Sequence, residues 1–233
     1  MRLIGLRDLV SLPVCLSLCV LCALCGESGA ADPAGITVDK VKRTVTIDAK
    51  VAPRKLPNLD QIYPIEVIAC FAAPKGEKAH ETIVTIEAMP SEIHKAIESL
   101  GLKPGKVADV QNEKPSEGPE MNVYIEIPLE GGATKRVSVN QVLIDMRTAK
   151  PLPKSVRFRF TGSVLIQADP TKPDKTYAAD KSGTLISIFP VTDKTVMQST
   201  LSMKEEKYVK LETDKKLLPK EGMPVKLVLE APK

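Results

Sequence analysis

The sequence predicts an α+β fold, a largely antiparallel β-sheet or sandwich carrying one main amphipathic helix. Three observations lead there. The apolar residues are mostly Val, Ile and Leu, with no Trp and only 3% aromatics, and β-branched side chains favour strands. Nineteen prolines cut the chain into short elements and argue against a helical bundle. Only one segment carries a convincing apolar stripe of helical period.

The elements follow in order. Arg43 to Val51 alternates, with Val45, Ile47, Ala49 and Val51 on one side and Thr44, Thr46, Asp48 and Lys50 on the other, which reads as a half-buried strand. A connection punctuated by Pro53, Pro57 and Pro64 leads to Ile65–Phe71, apolar on both faces except for Glu66 and therefore a central strand. Pro74-Lys75-Gly76 interrupts, and strand character resumes over Thr82–Ala88.

The helix spans about Ser91 to Leu100. Ile93, Ala96, Ile97 and Leu100 fall at i, i+3, i+4 and i+7, Pro90 and Ser91 suit its start, and Gly101 suits the left-handed residue beyond its end. Residues 102–119 are rich in Pro, Gly, Lys and Glu and form a surface connection. Asn122–Leu129 alternates, turns at Glu130-Gly131-Gly132-Ala133 and returns as Lys135–Val139, a hairpin. A short helix is expected over Asn140–Met146, then strands at Val156–Phe160, Val164–Ile166, Thr184–Phe189 and Val225–Leu229. In the last of these, Val225, Leu227 and Leu229 face the core and Lys226, Val228 and Glu230 face away. The lysine-rich stretch from Lys204 to Lys220 fits an edge strand around Tyr208, Val209 and Leu211.

Ahead of this domain, Arg2 and Arg7 precede an apolar run from Leu9 to Leu24 and then Ser28-Gly29-Ala30. A basic start, an apolar stretch and a small-residue cleavage site make residues 1–30 a secretory signal peptide. The competing reading is a membrane anchor, but a spanning helix needs about 20 apolar residues, and this run is shorter and contains Pro13. Lipidation at Cys25 is a third reading, opposed by Leu24 where a small residue is required. The expectation is therefore a periplasmic or extracellular protein with no stable membrane span after cleavage.

Cys15, Cys19, Cys22 and Cys25 sit in or beside the apolar run, where they act as small hydrophobes rather than as cluster or zinc ligands. Cleavage leaves Cys70 alone, so no intramolecular disulfide forms and the core must hold the fold. The formal charge of +4 is dispersed along the chain. Without a basic stripe or base-stacking aromatics, nucleic acid is not an expected partner.

Catalytic signatures are missing: there is no glycine-rich phosphate loop, no Gly-x-Ser-x-Gly elbow, and His80-Glu81 lacks the second histidine of a zincin. The candidate acid–base or metal-ligating residues are Glu66, His80, Glu81 and His94, with Cys70 nearby in sequence. Each has a plainer reading. His94 stands one turn before Glu98 and fits an i,i+4 contact. Glu81 fits a loop anchor to an amide or a lysine. Phe160-Thr161-Gly162-Ser163 fits an anion-binding turn or a strand end. Cys70, amid Val67-Ile68-Ala69 and Phe71, fits a buried inert thiol.

Lys75-Gly76-Glu77-Lys78-Ala79-His80-Glu81-Thr82, then Ile93-His94-Lys95-Ala96 leading to Gly101-Leu102-Lys103-Pro104-Gly105, resembles the YdjY domain family of bacterial envelope proteins. The likeness continues through Phe158–Ser163, Tyr177–Pro190 and Leu218–Leu227, so it covers residues 36–231 as one domain. The resemblance implies an exported single-domain protein and brings no activity with it. Relatives carry Trp where this chain has Phe158. They also carry a cysteine and a longer ending around Ser187-Ile188-Phe189-Pro190, and extra residues 71–73 part Cys70 from Pro74. These departures lower the case for redox or cluster chemistry.

The expectation is an exported, non-catalytic binding or structural protein of the cell envelope, needing no cofactor and engaging an envelope protein or a small ligand. The alternative is a metal-dependent or hydrolytic enzyme centred on His80 and Glu81, with Glu66 and His94 as helpers.

Overall fold

The computed structural model describes residues 35–167, 170–171 and 173–232. The signal-peptide expectation, with Cys15, Cys19, Cys22 and Cys25, lies outside the described residues. Strands and helices follow in chain order: β1 Ile36–Asp39, β2 Thr44–Val51, β3 Val67–Phe71, β4 Thr82–Ile86, α1 Pro90–Glu98, β5 Glu120–Pro128, β6 Thr134–Ser138, α2 Val139–Val142, β7 Leu143–Asp145, β8 Lys150–Pro151 and β9 Phe158–Phe160. They continue with β10 Leu165–Ile166, β11 Thr176–Tyr177, α3 Ala178–Ser182, β12 Thr184–Ser187, β13 Met197–Ser199, α4 Met203–Glu206, β14 Leu211–Thr213 and β15 Pro224–Glu230.

The sheet closes on itself, which corrects the expected α+β sheet or sandwich. Its order is β2-β15-β5-β9-β13-β12-β3-β4, and β4 pairs back onto β2 to complete an eight-strand barrel. The fold is mostly β; α1 is the only helix longer than five residues among those described. Pairing is antiparallel except between β12 and β13 and between β3 and β4. Eight strands leave an interior just wide enough for side chains to fill, and Val45, Ile47, Ile125, Phe160, Leu227 and Leu229 belong to one buried apolar cluster.

Two strands are shared. Along one edge of β2, residues 44–47 pair with β1 while residues 49–51 pair with β4. Along one edge of β5, residues 120–121 pair with β9 while residues 124–128 pair with β6. A flat sheet has no need of such divided edges. Here they let the short strands β4 and β9 seal the barrel while the β1 and β6 hairpins splay away.

Alternation put the right residues inside β2, where Val45, Ile47, Ala49 and Val51 are buried and Asp48 and Lys50 exposed. In β15, Val228 is buried along with Val225, Leu227 and Leu229, between Thr46 and Tyr124 of the flanking strands. The helix α1 buries Ile93, Ala96 and Ile97 and packs against β1, β2 and α3. Gly101 follows it at φ +83°. The expected helix over Asn140–Met146 is only partly formed. Ser138 and Gln141 cap the one-turn α2, and the chain then extends as β7, paired with β8 and β14 in a small second sheet.

Candidate functional site

As β2 ends, the Ala52 amide donates to the Ile83 carbonyl, and the prolines that follow keep residues 53–64 irregular. This connection brings Arg54 beside β14. Its side chain is 8% exposed and grips Glu212 with two hydrogen bonds, Nε to Oε1 at 2.8 Å and Nη2 to Oε2 at 3.1 Å. Nη1 donates to the His80 carbonyl at 3.2 Å and Nη2 to the Tyr63 carbonyl at 2.5 Å. Burial pushes the Glu212 carboxyl up, but Arg54 and the Thr213 amide outweigh it and hold it below the usual range.

Between β3 and β4, Ala79–Glu81 form a single 3-10 turn, so His80 and Glu81 do not point to opposite faces as neighbours in a strand would. His80 Nε2 lies 3.2 Å from Glu81 Oε1, and the imidazole meets the Tyr63 ring edge-on at 5.1 Å between centroids. Lys78 Nζ sits between two carboxylates, 2.7 Å from Glu81 Oε2 and 3.2 Å from Glu66 Oε2. Glu66, just before β3, is fixed by backbone bonds: its amide donates to the Glu81 carbonyl and its carbonyl accepts from the Ile188 amide.

The electrostatics follow from that crowding. Burial and the charge of Glu81 push the Glu66 carboxyl up despite Lys78. Burial pulls the Lys78 ammonium down, but the two carboxylates more than reverse this. Cys70, fully buried on β3, has its thiol pushed up to about 12, chiefly by burial, with a Thr82 hydrogen bond opposing and the charge of Glu81 adding. Such a thiol carries almost no thiolate at neutral pH.

The structure therefore brings Glu66, His80 and Glu81 together. His94 belongs to a different group. On α1, its Nδ1 is 2.7 Å from the Tyr177 hydroxyl and its Nε2 3.5 Å from Glu98 Oε1, with the ring edge-on to Phe160 and Tyr177. The Tyr177 hydroxyl also accepts from the Ser163 amide at 3.1 Å. Burial raises this phenol to about 12, against the Ser163 hydrogen bond. The Phe160–Ser163 turn holds no anion-binding nest: the Thr161 and Gly162 amides both donate to the Val196 carbonyl. Among the described residues, no group of three His, Cys, Asp or Glu side chains is arranged to hold a metal ion.

Sequence reasoning missed Arg54, Lys78, Tyr63 and Glu212, the residues that organise this region. The segment Val51-Ala52-Pro53-Arg54-Lys55-Leu56 carries two adjacent cations, and nothing in its pattern marks Arg54 as the buried one.

A family model described as the YdjY domain matches residues 36–230. No curated protein and no solved structure matches the chain.

Proposed function

The chain belongs to the YdjY domain family, and we propose that it is an exported, non-catalytic binding or structural protein of the cell envelope. The observation that supports this reading is how the chemically able side chains are engaged. Glu66, Lys78, Glu81 and His80 are joined in a single chain of polar contacts, centred on Lys78 between the two carboxylates, which fastens the 3-10 turn to the start of β3. The enzyme reading gives His94 as a helper to His80 and Glu81, and His94 contacts Tyr177 and Glu98 instead. The basic and apolar start of the chain, ending in Ser28-Gly29-Ala30, supports export.

Protein recovered from the envelope fraction is to be sequenced from its N-terminus and analysed for metals. A chain beginning at or next to Ala31 and free of stoichiometric metal is the expected result. An intact Met1, or a diacylglyceryl group on Cys25, would overturn cleavage and favour anchoring. A stoichiometric transition metal lost from both His80→Ala and Glu81→Ala would move the enzyme reading to first place.

A further inference from the structure

The connection between β14 and β15, residues 214–223, folds over the end of the barrel where β2 finishes and β4 begins. It is pinned at both ends: the Asp214 amide donates to the Val142 carbonyl at 2.7 Å, the Gly222 amide to the Val51 carbonyl at 2.8 Å, and the Val51 amide to the Met223 carbonyl at 3.0 Å. Between this arch and the barrel lies a cleft of about 390 Å³. That is within the range of about 300–1,000 Å³ typical of small-molecule sites.

One wall of the cleft is apolar, made by Val51, Ala52, Ile83, Leu218 and Pro219. The charges are unevenly placed. Arg54 lines the cleft, but its guanidinium is already matched by Glu212. Glu221 is held in place by the Arg54 amide, which donates to its Oε1 at 3.0 Å. Lys215 and Lys220 also line the cleft, are exposed, and make no ion pair among the described residues. Counted together, Arg54, Glu212, Glu221 and the two lysines leave one net positive charge beside an apolar wall.

We propose that this cleft binds a small amphipathic monoanion, a carboxylate with an apolar body, its head on Lys215 and Lys220 and its tail on the Leu218–Pro219 wall. The excess of one charge favours a carboxylate over a phosphate dianion. Lysine suits the role because its ammonium reaches the head group on a flexible stem while its methylenes lie along the apolar surface. The inference deepens the reading of the protein as a binder. It stands apart from export, because the titration below reads the cleft wherever the protein resides.

The test is calorimetric titration of the purified protein with octanoate at low ionic strength and neutral pH, with octanol, acetate and inorganic phosphate as comparison probes. One saturable site is expected, with octanol and acetate each weaker by about tenfold or more. The double variant Lys215→Gln/Lys220→Gln should weaken octanoate by at least about tenfold while leaving the melting temperature unchanged, since neither lysine holds a structural partner. No saturable octanoate binding would overturn the proposal. So would octanoate binding that the double variant leaves intact, or phosphate bound as tightly as octanoate.

Discussion

Arg54 and Glu212 are separated by 158 residues in the chain and meet through two hydrogen bonds of 2.8 and 3.1 Å. The same guanidinium holds the Tyr63 and His80 carbonyls, so one side chain ties the proline-rich connection, the 3-10 turn and β14 together. Removing one member of such a pair strands the other. Arg54→Ala should lower unfolding free energy by about 3–5 kcal/mol, read from urea denaturation. Arg54→Ala/Glu212→Ala should cost less than the two single losses added, because the second change relieves an orphaned charge. Strict additivity would contradict the pairing.

The pH dependence of this pair has a definite sign. Glu212 in the folded protein has its carboxyl held below the ordinary value of 4.5. A depressed acid adds stability above its unfolded pKa and loses it as pH falls through the folded one. Wild type should therefore lose stability on acidification below about pH 4.5 more steeply than Glu212→Gln. Equal slopes would speak against it.

Glu66 behaves in the opposite sense. Its carboxyl is held above 4.5 by burial and by Glu81, so the folded form binds its proton more tightly than the unfolded form. That contribution is full below the unfolded pKa and is lost as pH rises through the folded one. Glu66→Gln carries no charge at any pH and should gain on wild type across this window, then hold a constant difference above it. Urea midpoints between about pH 4 and pH 8 measure the trend; an advantage that shrinks with rising pH would sink the argument.

Much of this was open to reading in the chain, and the failures have physical causes. β2 and β15 announced themselves because alternating burial imposes a period of two. Closure did not, because a strand in a barrel and a strand in a flat sheet carry the same alternation. What decides between them is the short β2–β4 pairing of Ala49, Lys50 and Val51 with Ile86, Thr85 and Val84, a contact no periodicity encodes. β13 escaped notice because Met197, Gln198 and Ser199 are all buried and so do not alternate. Glu81 was readable as a loop anchor from its place beside a turn, whereas its link through Lys78 to Glu66 depends on how β3 and β4 lie side by side.

Tyr177 is the hinge of the second polar group. Its hydroxyl meets His94 Nδ1 at 2.7 Å and accepts from the Ser163 amide. Tyr177→Phe leaves a partly buried amide and an imidazole nitrogen without that partner. A loss of about 1–3 kcal/mol in chemical denaturation is expected. A change inside about 0.5 kcal/mol, the scatter of ordinary surface substitutions, would count against the hydrogen bonds as drawn.

Two left-handed glycines separate steric from conformational cost. At Gly101, φ is +83° and a Cβ would meet nothing within 4 Å, so Gly101→Ala should cost only the backbone penalty of about 1–2 kcal/mol. At Gly183, φ is +72° and a Cβ would lie 2.4 Å from Phe71 Cδ2 in the core. Gly183→Ala should cost about 1–3 kcal/mol more, the usual range for overpacking. Equal melting temperatures for the two variants would mean that the Phe71 ring yields freely.

Deleting residues 224–233 removes β15, which is paired along its length with β2 and over Lys226–Glu230 with β5. The truncated chain should show no cooperative thermal transition. Retention of the full-length melting temperature would refute the barrel order.

The place of β15 also bears on when the protein can fold. The strand written last in the chain is inserted between β2, near the start of the domain, and β5, near its middle. A chain still emerging from the ribosome has both of those edges open, and local pairing alone cannot close the ring. Long-range pairings of this kind form slowly, since distant segments must meet before any contact rewards them. Until β15 has emerged, the barrel cannot close. Under the export proposed above, that delay would leave the ring open while the N-terminus is being threaded through a pore.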